Sequence, residues 1–173
     1  MNEIEHAARR LDRIWYMVVY VGAAGICAGA WLFLQFDARA SAALPIRFGL
    51  SVADFWASAA IVMVVAVAAT KFALDYYRRP ANILSLDLRN PLADAAGPVE
   101  RARLYVQTAI FIPLGIIDAP TIVLVGYALA TGDVSALGIG LAYCVVFGRL
   151  LKPDMTALLE ATVAEQSARL VRA

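Results

Sequence analysis

The sequence predicts an all-α polytopic membrane protein, with four transmembrane helices arranged as two hairpins and with both termini in the cytoplasm. The chain is 62% hydrophobic and 17% charged, whereas a soluble domain is about 45–50% apolar and about 25% charged. Its apolar residues gather into four long runs with few charges, which are typical of membrane-spanning helices. What remains outside these runs is too short and too polar for a second domain. We therefore expect one integral membrane domain over residues 1–173.

The predicted elements follow one another without internal repeats. Residues 2–14 have apolar side chains at helical spacing with arginines between them, which predicts a short amphipathic helix. Residues 15–36 carry no charge and are long enough to span a bilayer. Prolines and a glycine favour a loop over residues 71–103. The prediction comprises four spans at 15–36, 48–70, 104–131 and 134–151, a short connection at 37–47, a cytoplasmic loop at 71–103 and a C-terminal amphipathic helix at 154–172.

The lysines and arginines predict the orientation of the chain. Thirteen of the fifteen lie in the N-terminal segment, the 71–103 loop and the C-terminal segment. The other two, Arg39 and Arg47, lie in the first connection, and the turn at 131–133 has none. Positive residues favour the cytoplasmic side of a membrane. We therefore expect both termini and the 71–103 loop to be cytoplasmic, in the inner (cytoplasmic) membrane of a bacterium.

Glycines predict helix contacts in the first and fourth spans. Gly22, Gly25 and Gly29 share one helical face, and the Gly25-x-x-x-Gly29 spacing lets two backbones approach closely. Gly138 and Gly140 lie in the short fourth span. The expected partners are the lipid bilayer and either further copies of the chain or other membrane subunits. A net charge of +1 without a basic arm gives no indication of nucleic-acid binding.

Asp118 is the residue around which the functional prediction is organised. It is the one charged residue in the apolar run 104–131, fifteen residues from Arg103 and fifteen from Asp133. At about 1.5 Å per helical residue, it is roughly 22 Å from either charge and near the midplane of a hydrocarbon core about 30 Å thick. An ionisable group at this depth is costly and is a functional-site hypothesis by default. Because no basic residue lies at its depth in any span, we expect Asp118 to be protonated near pH 7.

Two prolines bracket this acid and extend the candidate site. Pro113 and Pro120 lack an N–H, which leaves the carbonyls of Ala109 and Ile116 without their helical partners. These carbonyls, the carboxyl group and the Thr121 hydroxyl together form a candidate site for a proton or a small monovalent cation. The structural alternative is that the acid donates to a freed carbonyl, or bonds to a Tyr or Ser of another helix, and holds the helices together.

Catalysis and metal binding are not indicated. The chain has no H-E-x-x-H, G-x-S-x-G, phosphate-loop or paired-carboxylate motif. Cys27 and Cys144 lie within apolar runs, where we interpret both as buried apolar cysteines. His6 is the single histidine and cannot form a metal site alone. We therefore expect neither an enzyme nor a cofactor.

The third span resembles the second helix of the proteolipid, or c, subunit of rotary ATPases. In that helix a membrane acid is followed by Ala, and Ile comes four residues after the acid, as Asp118, Ala119 and Ile122 do here. The span is also similar to the third helix of a group of small bacterial four-helix membrane proteins. Their helix has an acid-Ala-Pro start and ends in Thr-Gly-Asp, like Asp118-Ala-Pro120 and Thr131-Gly-Asp133. The proteolipid acid carries the translocated proton or sodium ion, so the resemblance implies that role for Asp118.

Two functional hypotheses therefore remain. In the first, helices from one or several copies enclose Asp118, which binds or translocates a proton or small cation. In the second, the protein is a non-catalytic accessory or assembly subunit of a larger membrane complex, and Asp118 is a structural hydrogen-bonding residue. The glycine faces and the 71–103 loop are then its interaction surfaces. Both hypotheses predict small residues at helix contacts, so the sequence leaves them open.

Overall fold

The computed structural model describes residues 3–36, 52–86 and 97–172. Residues 37–51 and 87–96, which include the predicted first connection, the start of the second span and the middle of the long loop, lie outside the described part. All regular structure within the described ranges is helical, which confirms the predicted all-α class. The helices are α1 (Glu3–Tyr16), a π-helical segment (Met17–Gly22), α2 (Ala23–Phe36), α3 (Val52–Tyr77), α4 (Pro80–Ile83), α5 (Pro98–Thr131), α6 (Ser135–Leu150) and α7 (Met155–Arg172).

The first helix is continuous from Glu3 to Phe36, so the predicted boundary between an amphipathic helix and a span is not a break in the backbone. The apolar face of α1 is buried, with Leu11 and Trp15 fully inside. The Trp15 indole donates a hydrogen bond to the carbonyl of Gly148, at 3.0 Å, and so joins α1 to the end of α6. The amphipathic segment is therefore packed against the protein itself.

Helix α5 is the centre of the bundle and contacts α1, α2, α3, α6 and α7. Pro98 lies in its first turn, where a missing N–H costs nothing. Gly132 ends it in the left-handed conformation (φ 76°) and donates its N–H to the carbonyl of Ala128, a common helix C-cap. Pro113 and Pro120 are both buried within the helix.

Helices extend into both described ends of the predicted 71–103 loop. Helix α3 continues to Tyr77 and α5 already begins at Pro98. The charges that begin at Lys71 and end at Arg103 mark the edge of the apolar runs, but lysine and arginine are good helix formers and do not end a helix. The predicted 71–103 loop is therefore too long at both ends, because α3 ends later and α5 begins earlier than predicted.

Among the described residues, three helices are long and apolar enough to cross a membrane, namely Glu3–Phe36, Val52–Tyr77 and Pro98–Thr131. The pair α6 and α7, bent by 53° at a short break, passes the same test only when taken together, which raises the number of candidate spans to four. These helices indicate a membrane protein. Helix α6 does not pass alone because it is short, since its sixteen residues extend only about 24 Å.

Helix α7 closes the charged end of the bundle. It packs against α1, α4 and α5. Met155 and Leu159 of α7 are buried together with Leu11, Ile83 and Ala102 in one apolar cluster. The predicted C-terminal flanking helix is therefore part of a packed end layer with α1 and α4.

Candidate functional site

Asp118 lies where three helices meet. The Cys144 thiol of α6 donates a hydrogen bond to Oδ1 of Asp118, with 2.9 Å between the sulfur and the oxygen. The same sulfur lies 3.6 Å from the carbonyl oxygen of Val19, in the π segment of the first helix. Cys144 is fully buried and Asp118 is half-buried. The acid is therefore engaged by a protein group from a neighbouring helix.

The hairpin of α5 and α6 explains why these residues meet. Its turn lies at 132–134, fourteen residues after Asp118 and ten before Cys144. The two antiparallel helices bring these side chains within hydrogen-bond distance. One turn closer to the hairpin end, the Thr121 hydroxyl donates to the carbonyl of Gly140, at 3.0 Å. A Cβ at Gly140 would lie 3.3 Å from Cγ2 of Thr121, so the missing side chain permits this close approach.

The π segment of the first helix packs against α6. Val19 is fully buried, and its side chain fills the space that a Cβ of Gly148 would occupy. Short π-helical segments inside α-helices are rare and are frequent at functional sites. Here the π segment coincides with the contact between the first helix and the Asp118–Cys144 pair.

The other side of Asp118 faces a cleft of about 340 Å³ between the first helix and α5. Apolar side chains and small residues form most of its wall, including Met17, Val18, Ile26 and Ile122. Within the described ranges, no group of three His, Cys, Asp or Glu side chains is placed to hold a metal ion. The carboxyl group is thus hydrogen-bonded on one side and bordered by an almost wholly apolar space on the other.

The structure brings Thr121 beside Asp118 but does not gather the other predicted ligands. Ala109 lies nine residues earlier, about 13 Å along the helix, and lines a separate cavity at the charged end. Ile116 lies two residues before Asp118, so its side chain takes a different face and lines a groove against α3. The carbonyls freed by two prolines seven residues apart are spread along the helix axis, and binding of a proton or cation by the set Asp118, Thr121, Ile116 and Ala109 stays a prediction.

The predicted packing glycines fall into two groups. Gly140 contacts α5 as described, whereas a Cβ at Gly25, Gly29 or Gly138 would meet nothing within 4 Å. A Cβ at Gly22 would have one near neighbour, the carbonyl oxygen of Met17, at 3.6 Å in its own helix. A packing role for these four glycines towards another chain stays a prediction.

Cys144 is the functional residue that sequence reasoning missed. As a lone cysteine in an apolar run it resembles any buried cysteine. The useful signal was positional, because a tight turn makes α5 and α6 antiparallel neighbours and places Cys144 opposite Asp118. Polar groups on the two helices of a hairpin are therefore candidates for a direct contact.

Comparison with protein-family models, with curated proteins and with solved structures shows no match.

Proposed function

We propose that this protein is a non-catalytic integral membrane protein, an accessory or assembly subunit of a larger complex in the cytoplasmic membrane. In this proposal Asp118 is a structural hydrogen-bonding residue. The observation that carries it is the hydrogen bond that Oδ1 of Asp118 accepts from Cys144 of the neighbouring helix. Hydrogen bonds between membrane helices hold them in register where the hydrophobic effect does not.

The surroundings of Asp118 support this role over ion exchange. Hard cations are bound by several oxygen ligands, whereas Asp118 and Thr121 are the two oxygen-bearing side chains in an otherwise apolar cleft lining. A proton or cation exchanging at Asp118 also needs a polar route to water. The cleft lining offers no such route among the described residues.

We further propose four spans, with α6 as the fourth and with both termini cytoplasmic. Helix α7 packs against α1 and α4, which lie outside the uncharged runs. A salt bridge of 2.8 Å joins Lys152, at the break between α6 and α7, to Asp12 of α1. An ion pair of this kind suits a water-accessible layer, so α7 belongs beside the membrane. The excess of lysine and arginine at this end favours the cytoplasm.

An exposed small-residue face on the first helix is consistent with assembly. Gly25 and Gly29 are both exposed, and neither has a neighbour within 4 Å of an added Cβ. Glycines spaced in this way allow close backbone contact between membrane helices. In this proposal they contact a helix of another subunit or of a second copy.

Proton or cation binding at Asp118 is the second candidate function. It is favoured by one observation, namely that Asp118 is only half-buried and also lines the cleft between the first helix and α5. The resemblance of this helix to the rotary ATPase proteolipid agrees with it. In that case the acid releases its proton or cation during function.

Two substitutions of Asp118 test the structural role. Asn keeps an oxygen that accepts the Cys144 thiol, whereas Leu removes it. We expect Asp118→Asn to keep the thermal stability and the elution profile of the detergent-purified protein, and Asp118→Leu to lower the midpoint of unfolding. If Leu leaves the midpoint unchanged, the acid does not hold the helices together and the structural proposal fails.

A further inference from the structure

A second cavity, of about 910 Å³, lies at the charged end of the bundle. The end of α3, Ala109 and Ile110 of α5, the break between α6 and α7 and the start of α7 line it, and we call it the interface cavity. Two of its lining residues lie where apolar runs end. Lys71 directly follows the apolar run of α3, and Lys152 follows Leu151, the residue after α6. The cavity therefore straddles the boundary between the charged and the apolar parts of the protein.

Part of the wall of the interface cavity is charged. Three cations and two carboxylates line it, and four of these five groups are already engaged. Asp154 accepts hydrogen bonds from the N–H groups of Thr156 and Ala157. The engaged groups also include Lys152, in its salt bridge to Asp12, and Arg78 and Asp75, which pair with each other at 3.4 Å.

Among the cations that line the cavity, Lys71 has no partner within the described ranges. It lines the cavity and is exposed. In the part of the chain that the structure describes, Lys71 forms no hydrogen bond or ion pair. Arg78, whose side chain is 78% exposed, is held only by a surface ion pair. Such pairs contribute about 0–1 kcal/mol, so an incoming anion competes with Asp75 for Arg78 at little cost.

Other residues of the cavity wall are apolar. Its wall includes Leu74, Ala109, Ile110, Leu150 and Leu151. Ala109 and Ile110 lie five and six residues inside the uncharged run of α5, about 8–9 Å from its start. Leu150 is 71% exposed, so the apolar wall continues onto the outer surface of the bundle. An anionic group beside the charged residues would thus have an adjoining apolar wall for an attached chain.

We propose that the interface cavity binds an anionic phospholipid. Lys71 contacts the phosphate, Arg78 assists it, and an acyl chain follows the apolar wall past Leu150. Basic pockets between membrane helices on the cytoplasmic side bind phospholipid head groups in this way. A lysine beside an apolar wall favours a lipid over a small soluble phosphate, because the soluble phosphate would make no contact with the apolar side chains.

Titration with phosphatidylglycerol, followed by native mass spectrometry of the full-length protein in detergent, tests the site. We expect Lys71→Gln to weaken binding roughly fivefold, the effect of losing one lysine near a membrane surface. Arg149→Gln is the matched control, because Arg149 is exposed at the same end of α6 but does not line the cavity. It should bind as wild type. Equal binding by wild type and Lys71→Gln, or an equal loss in the control, overturns the proposal.

Glycerol phosphate, which has the phosphate without acyl chains, separates the two sources of this chemistry. We expect it not to compete with phosphatidylglycerol at equal concentration, since it makes no contact with the apolar wall. If it binds as tightly as the lipid and Lys71→Gln weakens both, the site belongs to a soluble phosphate and the lipid proposal is wrong.

Discussion

Oδ1 of Asp118 accepts a hydrogen bond from the thiol of Cys144 across the α5–α6 hairpin, at 2.9 Å. These two polar side chains come from separate apolar runs and meet near the centre of the bundle, where the Val19 carbonyl also lies 3.6 Å from the sulfur. A polar group in an apolar interior is costly unless it is hydrogen-bonded. The hydrogen bond engages the thiol and one carboxyl oxygen, and it ties α6 to α5.

A double-mutant cycle measures this coupling. We expect Asp118→Leu and Cys144→Ala to be non-additive in the free energy of unfolding, with an interaction of about 0.6 kcal/mol and at most about 1.7 kcal/mol, as for hydrogen bonds between membrane helices. Unfolding in mixed detergent, followed by circular dichroism, provides the free energies. Cys27→Ala is the control, because Cys27 is also buried and makes no hydrogen bond to Asp118 in the described part of the chain. Additive effects at Cys144 would contradict the role of the pair.

The contact between Val19 and Gly148 predicts a steric effect. A Cβ at Gly148 would overlap Val19, whose Cγ2 would lie only 3.2 Å away. We expect Gly148→Ala to destabilise the protein by about 1–3 kcal/mol, the usual cost of overpacking a core. Val19→Ala in the same chain should restore part of the loss, since it removes the overlapping methyl groups. A melting temperature unchanged by Gly148→Ala would show that this interface is looser than described.

Gly29→Ala is the matched glycine substitution on the exposed face. A Cβ there meets nothing within 4 Å, and Ala is the better helix former. We therefore expect no loss of stability in the isolated chain. If Gly29 contacts another subunit, Gly29→Leu should instead lower the fraction of associated protein in sedimentation experiments. Association that is unaffected by Leu would remove this face from the proposed assembly.

The orientation predicts which positions a membrane-impermeant thiol reagent reaches in intact cells. A cysteine at Ser41, in the predicted external connection, should label from outside, and a cysteine at Asn90 should not. Cys27 and Cys144 are buried and should contribute little background. The reverse labelling pattern would invert the proposed orientation.

An ion pair at the start of α5 predicts an acid-sensitive step. The Nε–H of Arg103 donates a hydrogen bond to Oε2 of Glu100, at 2.9 Å. Nη2 of Arg103 forms a salt bridge of 2.6 Å with Oε1 of the same glutamate. The hydrogen bond from Arg103, helped by the charges of Arg103 and Arg10, lowers the pKa of Glu100 despite partial burial. The stabilisation is therefore complete above the ordinary pKa of a glutamate and is lost as pH falls through the lower folded-state value. Melting temperatures measured between pH 6 and 3, about the range in which glutamates titrate, should depend less on pH in Glu100→Gln.

The sequence was sufficient for the fold class, because long apolar runs have few alternatives to helices. Element ends were less predictable, since Lys71 and Arg103 mark the edge of an apolar run while the helices continue past them. The acid was found from its depth alone. Its partner was not, because Cys144 has no local signature and becomes informative only once the hairpin pairs it with Asp118. The carbonyl of Ala109 lies nine residues before Asp118 along the same helix, a distance that the two proline positions already give.

Ion flux through Asp118 is the measurement that separates the structural role from ion exchange most directly. Wild type and Asp118→Asn are reconstituted into vesicles at equal protein-to-lipid ratio, and the decay of an imposed pH gradient and of an imposed sodium gradient is followed. Asn keeps an acceptor for the Cys144 thiol but cannot exchange a proton. If Asp118 is a structural residue, both proteins should dissipate each gradient at the same rate. Faster dissipation by wild type than by Asp118→Asn, in either gradient, would contradict the account and assign Asp118 to transport.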